Sequence, residues 1–265
     1  MTSVQTSSTP AQKLILKAER EVAYESPDHL NPWGTRRDNS VNRRFNDKLY
    51  KLFPQGASLK ILDLGCSGGG FVKTCLDDGF LAVGLEGSDY SKRFRRAEWR
   101  TIPEYLFTCD VTGEFELLIE INGQSRPLQF DIVTSWEMME HIATPDLPRL
   151  AANVTKHLTP DGLWIMSVSS RPDIINGVNL HQTVQPKSWW IAKFAELGLV
   201  HREEYVRYFN TQFVRGPKYF ADGSFHLILS RSQSNLPPIP HQGLLRWLYD
   251  RWLGSVPQRF LAGGF

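Results

Sequence analysis

Ile61-Leu62-Asp63-Leu64-Gly65-Cys66-Ser67-Gly68-Gly69-Gly70 decides the fold. An apolar strand runs into a glycine-rich turn, and residues 69–78 behind it read as an amphipathic helix. Glycines let such a turn bring backbone close to a ligand. In an open α/β sheet the first turn of this kind lies beyond the carboxyl ends of the strands, where ligands bind. A nucleotide-type ligand is the default expectation. The dinucleotide fingerprint G-x-G-x-x-G is not met. Counted from Gly65, Ser67 stands at the second glycine; counted from Gly68, Lys73 stands at the third. Asp63, two residues before the first glycine, disfavours an anionic pyrophosphate and suits a cationic group such as an ammonium.

Outward from that turn, short apolar runs alternate with longer amphipathic segments, the pattern of a parallel α/β sheet. Strands are expected at 60–64, 82–86, 105–109, 130–135 and 163–169, with helices at 69–78, 91–99 and 145–158. Residues 186–197 read as a further helix, and 202–209 and 225–230 as two edge strands. Before the core, Leu14, Ile15, Ala18 and Val22 have roughly helical spacing, so a helix is expected at 13–24. A polar and aromatic loop follows, and then a short helix at 46–53. After the core, Pro237-Pro238-Ile239-Pro240 is a stiff linker to a helix at 244–253. The chain thus divides into an N-terminal helical lid segment (1–57), a cofactor-binding domain (58–232) and a linker with an aromatic C-terminal helix (233–265).

Two acidic residues continue the site. Glu86 ends the strand of Ala82-Val83-Gly84-Leu85, about one βαβ step after the glycine turn, where a carboxylate accepts hydrogen bonds from ribose hydroxyls. Asp110, in Phe107-Thr108-Cys109-Asp110-Val111, ends the next strand and is placed to accept from an exocyclic adenine amine.

From Asp63 to about Ser170 the chain resembles the core of the class I S-adenosylmethionine (SAM)-dependent methyltransferases. The resemblance rests on the Asp-Leu-Gly-Cys turn, Glu86, Asp110, and Phe130-Asp131-Ile132-Val133 leading to Glu137-Met138-Met139-Glu140-His141. The family's turn commonly reads D-x-G-x-G-x-G, and Ser67 departs from it at the middle glycine. The resemblance implies a seven-stranded, mostly parallel sheet with helices on both faces and a reversed edge strand, and SAM as cofactor. It sets Asp63, Gly65, Cys66, Ser67, Gly69, Glu86, Gly87, Asp110, Val111, Ser135 and Trp136 around that cofactor.

Methyl transfer from a sulfonium needs alignment first, and a base only where the acceptor must lose a proton. Glu137, Glu140 and His141 fall within one helical turn after the fourth strand, and His181 lies in a loop after the fifth. His141, His181 and Glu137 are the candidate catalytic residues, His141 as general base, although in many methyltransferases the Glu-His pair supports the loop. Glu137, Glu140, His141 and His181 also resemble the metal ligands of small-RNA 3′-end 2′-O-methyltransferases, where a divalent ion binds a ribose diol. The E-x-x-E-H string occurs in metal-free enzymes of ubiquinone biosynthesis as well.

The acceptor is less legible. A formal net charge of +2 and 22% charged residues give no polyanion-binding signal. A small-molecule or glycan-linked acceptor, methylated at oxygen, is therefore expected rather than a nucleic acid. Trp33, Arg36, Arg37 and Arg43 could meet an anionic or sugar-like acceptor, or form a solvated basic face. Lys92, Arg93, Arg95, Arg96 and Arg100 read as the exposed side of a helix. Of Trp189 and Trp190, one is expected in the core. A non-catalytic cofactor sensor or partner activator would carry a degraded turn, whereas Asp63, Gly65, Gly69, Glu86 and Asp110 are all in place. The Ser/Thr-rich start lacks the apolar run of a secretory signal, and Cys66, Cys75 and Cys109 lie too far apart for a zinc spacing, so a cytoplasmic protein with reduced thiols is expected. The C-terminal helix is apolar on more than one face. It could lie on a membrane surface or cover a partner, or pack on its own domain or on the mate of a homodimer.

Overall fold

The structure is a computed structural model that describes residues 12–34, 36–53, 58–218 and 221–252. In chain order its strands are β1 (Gln12–Ala18), β2 (Lys60–Leu64), β3 (Leu81–Glu86), β4 (Leu106–Thr108), β5 (Phe115–Ile121), β6 (Gln124–Pro127), β7 (Phe130–Trp136), β8 (Leu158–Ser169), β9 (Ile174–Ile175), β10 (Val178–Asn179), β11 (Leu199–His201) and β12 (Ser224–Arg231). The helices are α1 (Arg43–Leu52), α2 (Gly70–Asp77), α3 (Tyr90–Arg93), α4 (Leu147–His157), α5 (Lys187–Glu196), α6 (Glu203–Phe209) and α7 (Leu244–Trp252).

Seven strands form the central sheet in the order β11-β12-β8-β7-β2-β3-β4. β8, β7, β2, β3 and β4 run parallel, and β12 inserts antiparallel between β8 and β11. The expected sheet with a reversed strand near one edge is what forms. Its period-two pattern divides the core. Ile61, Ala82, Ile132, Ile165 and Ile228 face one side with Phe45, Leu49, Phe71 and Phe209 of α1, α2 and α6. Leu62, Val83, Val133, Trp164, Met166 and Leu227 face the other with Leu150, Val154, Trp190 and Phe194 of α4 and α5. Burying both faces is why these strands read as continuous apolar runs.

The expected helix at 13–24 is instead β1. It pairs antiparallel with β5 from Gln12 opposite Ile121 to Ala18 opposite Phe115, and β6 completes this second sheet. Leu14, Leu16 and Ala18 pack on the core at strand spacing. The helical reading skipped Leu16, and the partner strand is too distant in sequence for local periodicity to reveal. In the N-terminal part, α1 packs into the core, and the cleft is bordered by irregular chain between β1 and α1. Residues 202–209, expected as a strand, form α6. Tyr205, Tyr208 and Phe209 are buried at helical spacing, and Glu203 and Glu204 occupy the first turn, where acids favour the helix dipole. The strand at this edge is β11, just before it. The expected helix at 91–99 stops at Arg93, because Arg95 adopts a left-handed φ of 47° and a short 3-10 turn, Ala97–Arg100, follows, its first residue at φ of 46°.

Among the described residues no helix is long and apolar enough to cross a membrane. Residues 1–11, the polar start, lie outside the described residues, as does Leu253, the last residue of the expected C-terminal helix.

Candidate functional site

At the carboxyl ends of β2, β3, β4 and β7 the chain encloses a cleft of about 770 Å³. The turn after β2 shapes its floor. Gly65 has φ of 73°, and a Cβ there would lie 2.9 Å from Met138 Cγ. Gly69 has φ of 85°, a left-handed conformation that favours glycine and here opens α2.

Ser67, at the position where the family pattern has glycine, also takes a left-handed φ of 49°. Its surroundings hold it there. Its N–H donates to Glu86 Oε2 at 2.6 Å, and Trp99 Nε1 donates to its carbonyl at 2.8 Å. Its hydroxyl donates to the Asp38 carbonyl at 3.1 Å and accepts from Arg96 Nη2 at 2.9 Å. Arg96 also donates to the carbonyls of Asp38 and Arg36 at 2.9 and 3.2 Å. Arg96, expected on an exposed face, thus staples the N-terminal segment to the glycine turn.

The three acidic residues fare differently. Glu86 lines the cleft; burial raises its pKa, opposed by the N–H groups of Ser67 and Ser88. Asp110 also lines the cleft, but its carboxylate is engaged by Arg20 Nε at 3.0 Å and by the Thr112 N–H and hydroxyl at 3.0 and 2.6 Å. Asp63 sits beneath the turn rather than in the cleft wall. It accepts from Thr134 Oγ1 at 2.6 Å, and burial pushes its pKa up to about 8. Of the other expected cofactor contacts, Gly65, Ser67, Gly87, Val111 and Trp136 line the cleft, whereas Cys66, Gly69 and Ser135 do not.

On the β7 and β8 side stand the candidate catalytic residues. Glu137 has a left-handed φ of 50° and accepts from Ser224 Oγ at 2.6 Å. Glu140 is fully buried; Ser169 N–H donates to its Oε1 at 3.0 Å, while Oε2 has no partner. Burial raises the Glu140 pKa, and the neighbouring Glu137 charge adds to the rise. His141 Nδ1 lies 2.9 Å from Asp28 Oδ1. Burial pulls the His141 pKa down, but the hydrogen bond and charge of Asp28, with Glu140 and Asp173, together outweigh it and lift it to about 9. His181 packs edge-on against His141 with ring centroids 4.6 Å apart and bonds the Arg171 carbonyl through Nδ1. Burial lowers its pKa, as does the His141 charge. Donor atoms of Glu140, His141 and His181 all lie within 4.8 Å of one another; Glu137 does not join that cluster.

Sequence reasoning missed Arg20, Asp28 and Asp38, all in the irregular N-terminal chain. Backbone bonds hold this segment against the strand ends, from Ala23 N–H to the Gly87 carbonyl at 2.9 Å and from Asp110 N–H to the Arg20 carbonyl at 3.0 Å. No local pattern marks these residues. Trp33, Arg36, Arg37 and Arg43 do not line the cleft.

The profile of the methyltransferase domain family matches residues 36–214. The ubiquinone biosynthesis O-methyltransferase of Thiobacillus denitrificans is 28% identical over 116 residues, 43% of this chain and 46% of that protein. The protein of the same name from Neisseria meningitidis serogroup C is 28% identical over 116 residues, 42% of this chain and 44% of that one. The chain therefore spans less than half the length of these curated relatives. Among solved structures, an S-adenosylmethionine-dependent methyltransferase from Clostridium acetobutylicum superposes with a TM-score of 0.49 at 13% identity, covering 77% of this chain and 96% of that one.

Proposed function

We propose, for a chain that belongs to the methyltransferase domain family and takes SAM as its methyl donor, that it methylates a hydroxyl oxygen of a small-molecule or glycan-linked acceptor, with His141 as general base. One observation carries this reading: the Asp28–His141 pair stands in the same cleft as the glycine turn and Glu86.

The residues fit the cofactor. Acidic residues, among them Asp38, Glu86 and Glu137, outnumber the arginines Arg20, Arg149 and Arg215 in the lining of the cleft, which favours a sulfonium and an ammonium and opposes a pyrophosphate. Each Glu86 oxygen accepts one backbone N–H and retains a second acceptor site for a ribose hydroxyl. Ser67, held by Arg96, presents the turn, and Val111 and Gly87 border the remaining wall. When bound, SAM supplies an electrophilic methyl on a positively charged sulfur. The irregular chain between β1 and α1 serves as the lid.

For the acceptor, Asp28 fixes the imidazole. With Nδ1–H donated to Asp28, Nε2 of neutral His141 carries the lone pair that receives the hydroxyl proton as the oxygen–methyl bond forms. Leu180, Ile175 and Gln182 border the cleft beside His181 and offer apolar surface and an amide to a small acceptor. Relatives that carry O-methyltransferase in their names support oxygen as the methylated atom. The test is transfer of labelled methyl from SAM to a panel of phenols, catechols and sugars. Activity on a hydroxyl that is lost in His141→Gln, with SAM binding retained, is expected; transfer to amines only would refute the reading.

The convergence of Glu140, His141 and His181 favours one second reading, a divalent cation that lowers the acceptor hydroxyl pKa. Chelation then abolishes transfer and added metal restores it, whereas base catalysis by His141 is indifferent to chelation. In the RNA 3′-end variant of this reading Glu137 would be a fourth ligand, but it is bonded to Ser224 instead.

A further inference from the structure

Helix α7 is docked with its apolar side outward. The face against the domain is held by polar bonds. Asp250, 1% exposed, meets Lys48 Nζ at 3.1 Å and Arg246 Nε at 3.3 Å, and accepts from Gln242 Nε2 at 3.0 Å. The Asp250 carbonyl accepts from Thr211 and Gln212, and the Trp247 carbonyl accepts from Asn210 at 3.0 Å. On the opposite side Leu244 is 71%, Leu245 83% and Trp252 64% exposed, and Leu248 and Tyr249 are exposed as well. At 100° per residue these five fall within one arc of about 140°. A helix that turned this stripe inward would bury it by the hydrophobic effect; here the single acid is buried and the leucines are not.

The charges around the stripe are positive. Arg251 borders one side and stacks over Trp247 and Trp252; Arg246 borders the other and stacks over Tyr249. Arg44 donates to Tyr249 Oη at 3.2 Å. Next to Arg246 a cavity of about 160 Å³ is lined by Arg44, Lys51 and His241, among others, with Asp47 and Asp250. From residue 232 to residue 265 the sequence contains no acid besides Asp250, while Arg246, Arg251 and Arg259 are all basic. Apolar and aromatic side chains on one face with arginines at its borders are what an interfacial helix presents to lipid: leucines enter the acyl boundary, tryptophan and tyrosine sit at headgroup level, and arginines meet phosphates.

We propose that α7 seats the enzyme on a bilayer surface containing anionic phospholipid, with Leu244, Leu245, Leu248 and Trp252 inserted and Arg246 and Arg251 at the headgroups. The helix lies in the interface and does not span it. Asp250 keeps it fixed to the domain, so docking sets the orientation of the whole protein on the membrane.

The test is flotation of the full chain with vesicles of phosphatidylcholine containing phosphatidylglycerol and, separately, of phosphatidylcholine alone. The expected result is flotation with the anionic vesicles and weaker or no flotation with the neutral ones. Arg251→Gln should lower binding about fivefold, the effect of one surface arginine. Leu245→Glu with Trp252→Glu should abolish it while SAM binding and thermal melting stay unchanged, since both side chains are exposed. Absence of flotation, equal binding to neutral vesicles, or undiminished flotation of the Leu245→Glu/Trp252→Glu variant would overturn the proposal. So would sedimentation showing that the same variant dissolves a dimer in the absence of lipid, which would make a second copy the occupant of the stripe.

Discussion

Replacing Asp28 by Asn removes the carboxylate 2.9 Å from His141 Nδ1 and keeps a polar group of the same size in its place. The pKa of His141 stands near 9 against an ordinary 6.5 although burial acts to lower it. The hydrogen bond and charge of Asp28 are the largest influences raising it, and Glu140 and Asp173 contribute less. In the Asp28→Asn variant burial is opposed by those two alone, and the pKa should drop to about 8 or below. At pH 7 the protonated form outnumbers the neutral one by roughly a hundred to one in the wild type, and this ratio should shrink to about ten to one or less. Two measurements report it. In a pH profile of kcat/KM the acid limb, which rises toward about pH 9 in the wild type, moves to lower pH in the variant. The imidazole resonance assigned by comparison with His141→Gln titrates at correspondingly lower pH by NMR, without any acceptor. The pair also links stability to pH. Because the folded-state pKa lies above that of the unfolded chain, its stabilisation is fully present below about pH 6.5 and is lost as pH rises through about 9. Asp28→Asn should therefore destabilise the protein more at pH 6 than at pH 10, by less than a fully buried charge-assisted hydrogen bond would give, since the Asp28 side chain is 40% exposed. An unchanged His141 titration in Asp28→Asn would refute the reasoning.

Three further outcomes are expected. Glu86→Ala removes the acceptor proposed for the ribose hydroxyls and frees the Ser67 N–H, so calorimetry should show SAM binding weakened about tenfold to a hundredfold; wild-type affinity would count against the assignment. Gly65→Ala sets a Cβ 2.9 Å from Met138 Cγ at a φ of 73°, and thermal unfolding should report a loss of about 1–3 kcal/mol. Asp250→Ala leaves the buried Lys48 ammonium without its carboxylate, and denaturant unfolding should show a loss of about 3–5 kcal/mol, more than any surface ion pair would give.

What could be read from the sequence follows from the range of each signal. The run from Ile61 to Gly70 encodes strand, turn and helix within ten neighbouring positions, and Glu86 and Asp110 mark strand ends by their place after apolar runs. Hence β2, β3 and β7, with α2 and α4, fell within a residue or two of expectation, whereas the helix after β3 ended early at Arg93. Glu140 and His141 were legible because they follow a strand directly. Asp28 was not. Its partner His141 is 113 positions away, and the single 3-10 turn Pro27–Leu30 that carries Asp28 is too short to have a periodicity to interpret. The same limit hid β1, whose Leu14, Ile15 and Ala18 satisfy helical spacing until Leu16 and the strand opposite are considered. Residues 202–209 read as a strand, yet burial of Tyr205, Tyr208 and Phe209 on a helical arc in the core that α1 also joins decided otherwise. Arg96 looked like one of several surface arginines; what sets it apart is the serine it meets across the fold.

The pairing of β1 with β5 has a consequence for how the protein comes into being. Arg20 and Asp28 reach the cleft because β1 is moored to a strand about a hundred residues downstream, with Gln12 opposite Ile121. On a ribosome that partner emerges well after β2, β3 and the glycine turn, and long-range antiparallel closure is slow. The nascent chain therefore holds β2, β3 and the glycine turn before β5 can moor its N-terminal segment, and the contact of Asp28 with His141, whose histidine emerges later still, waits on both.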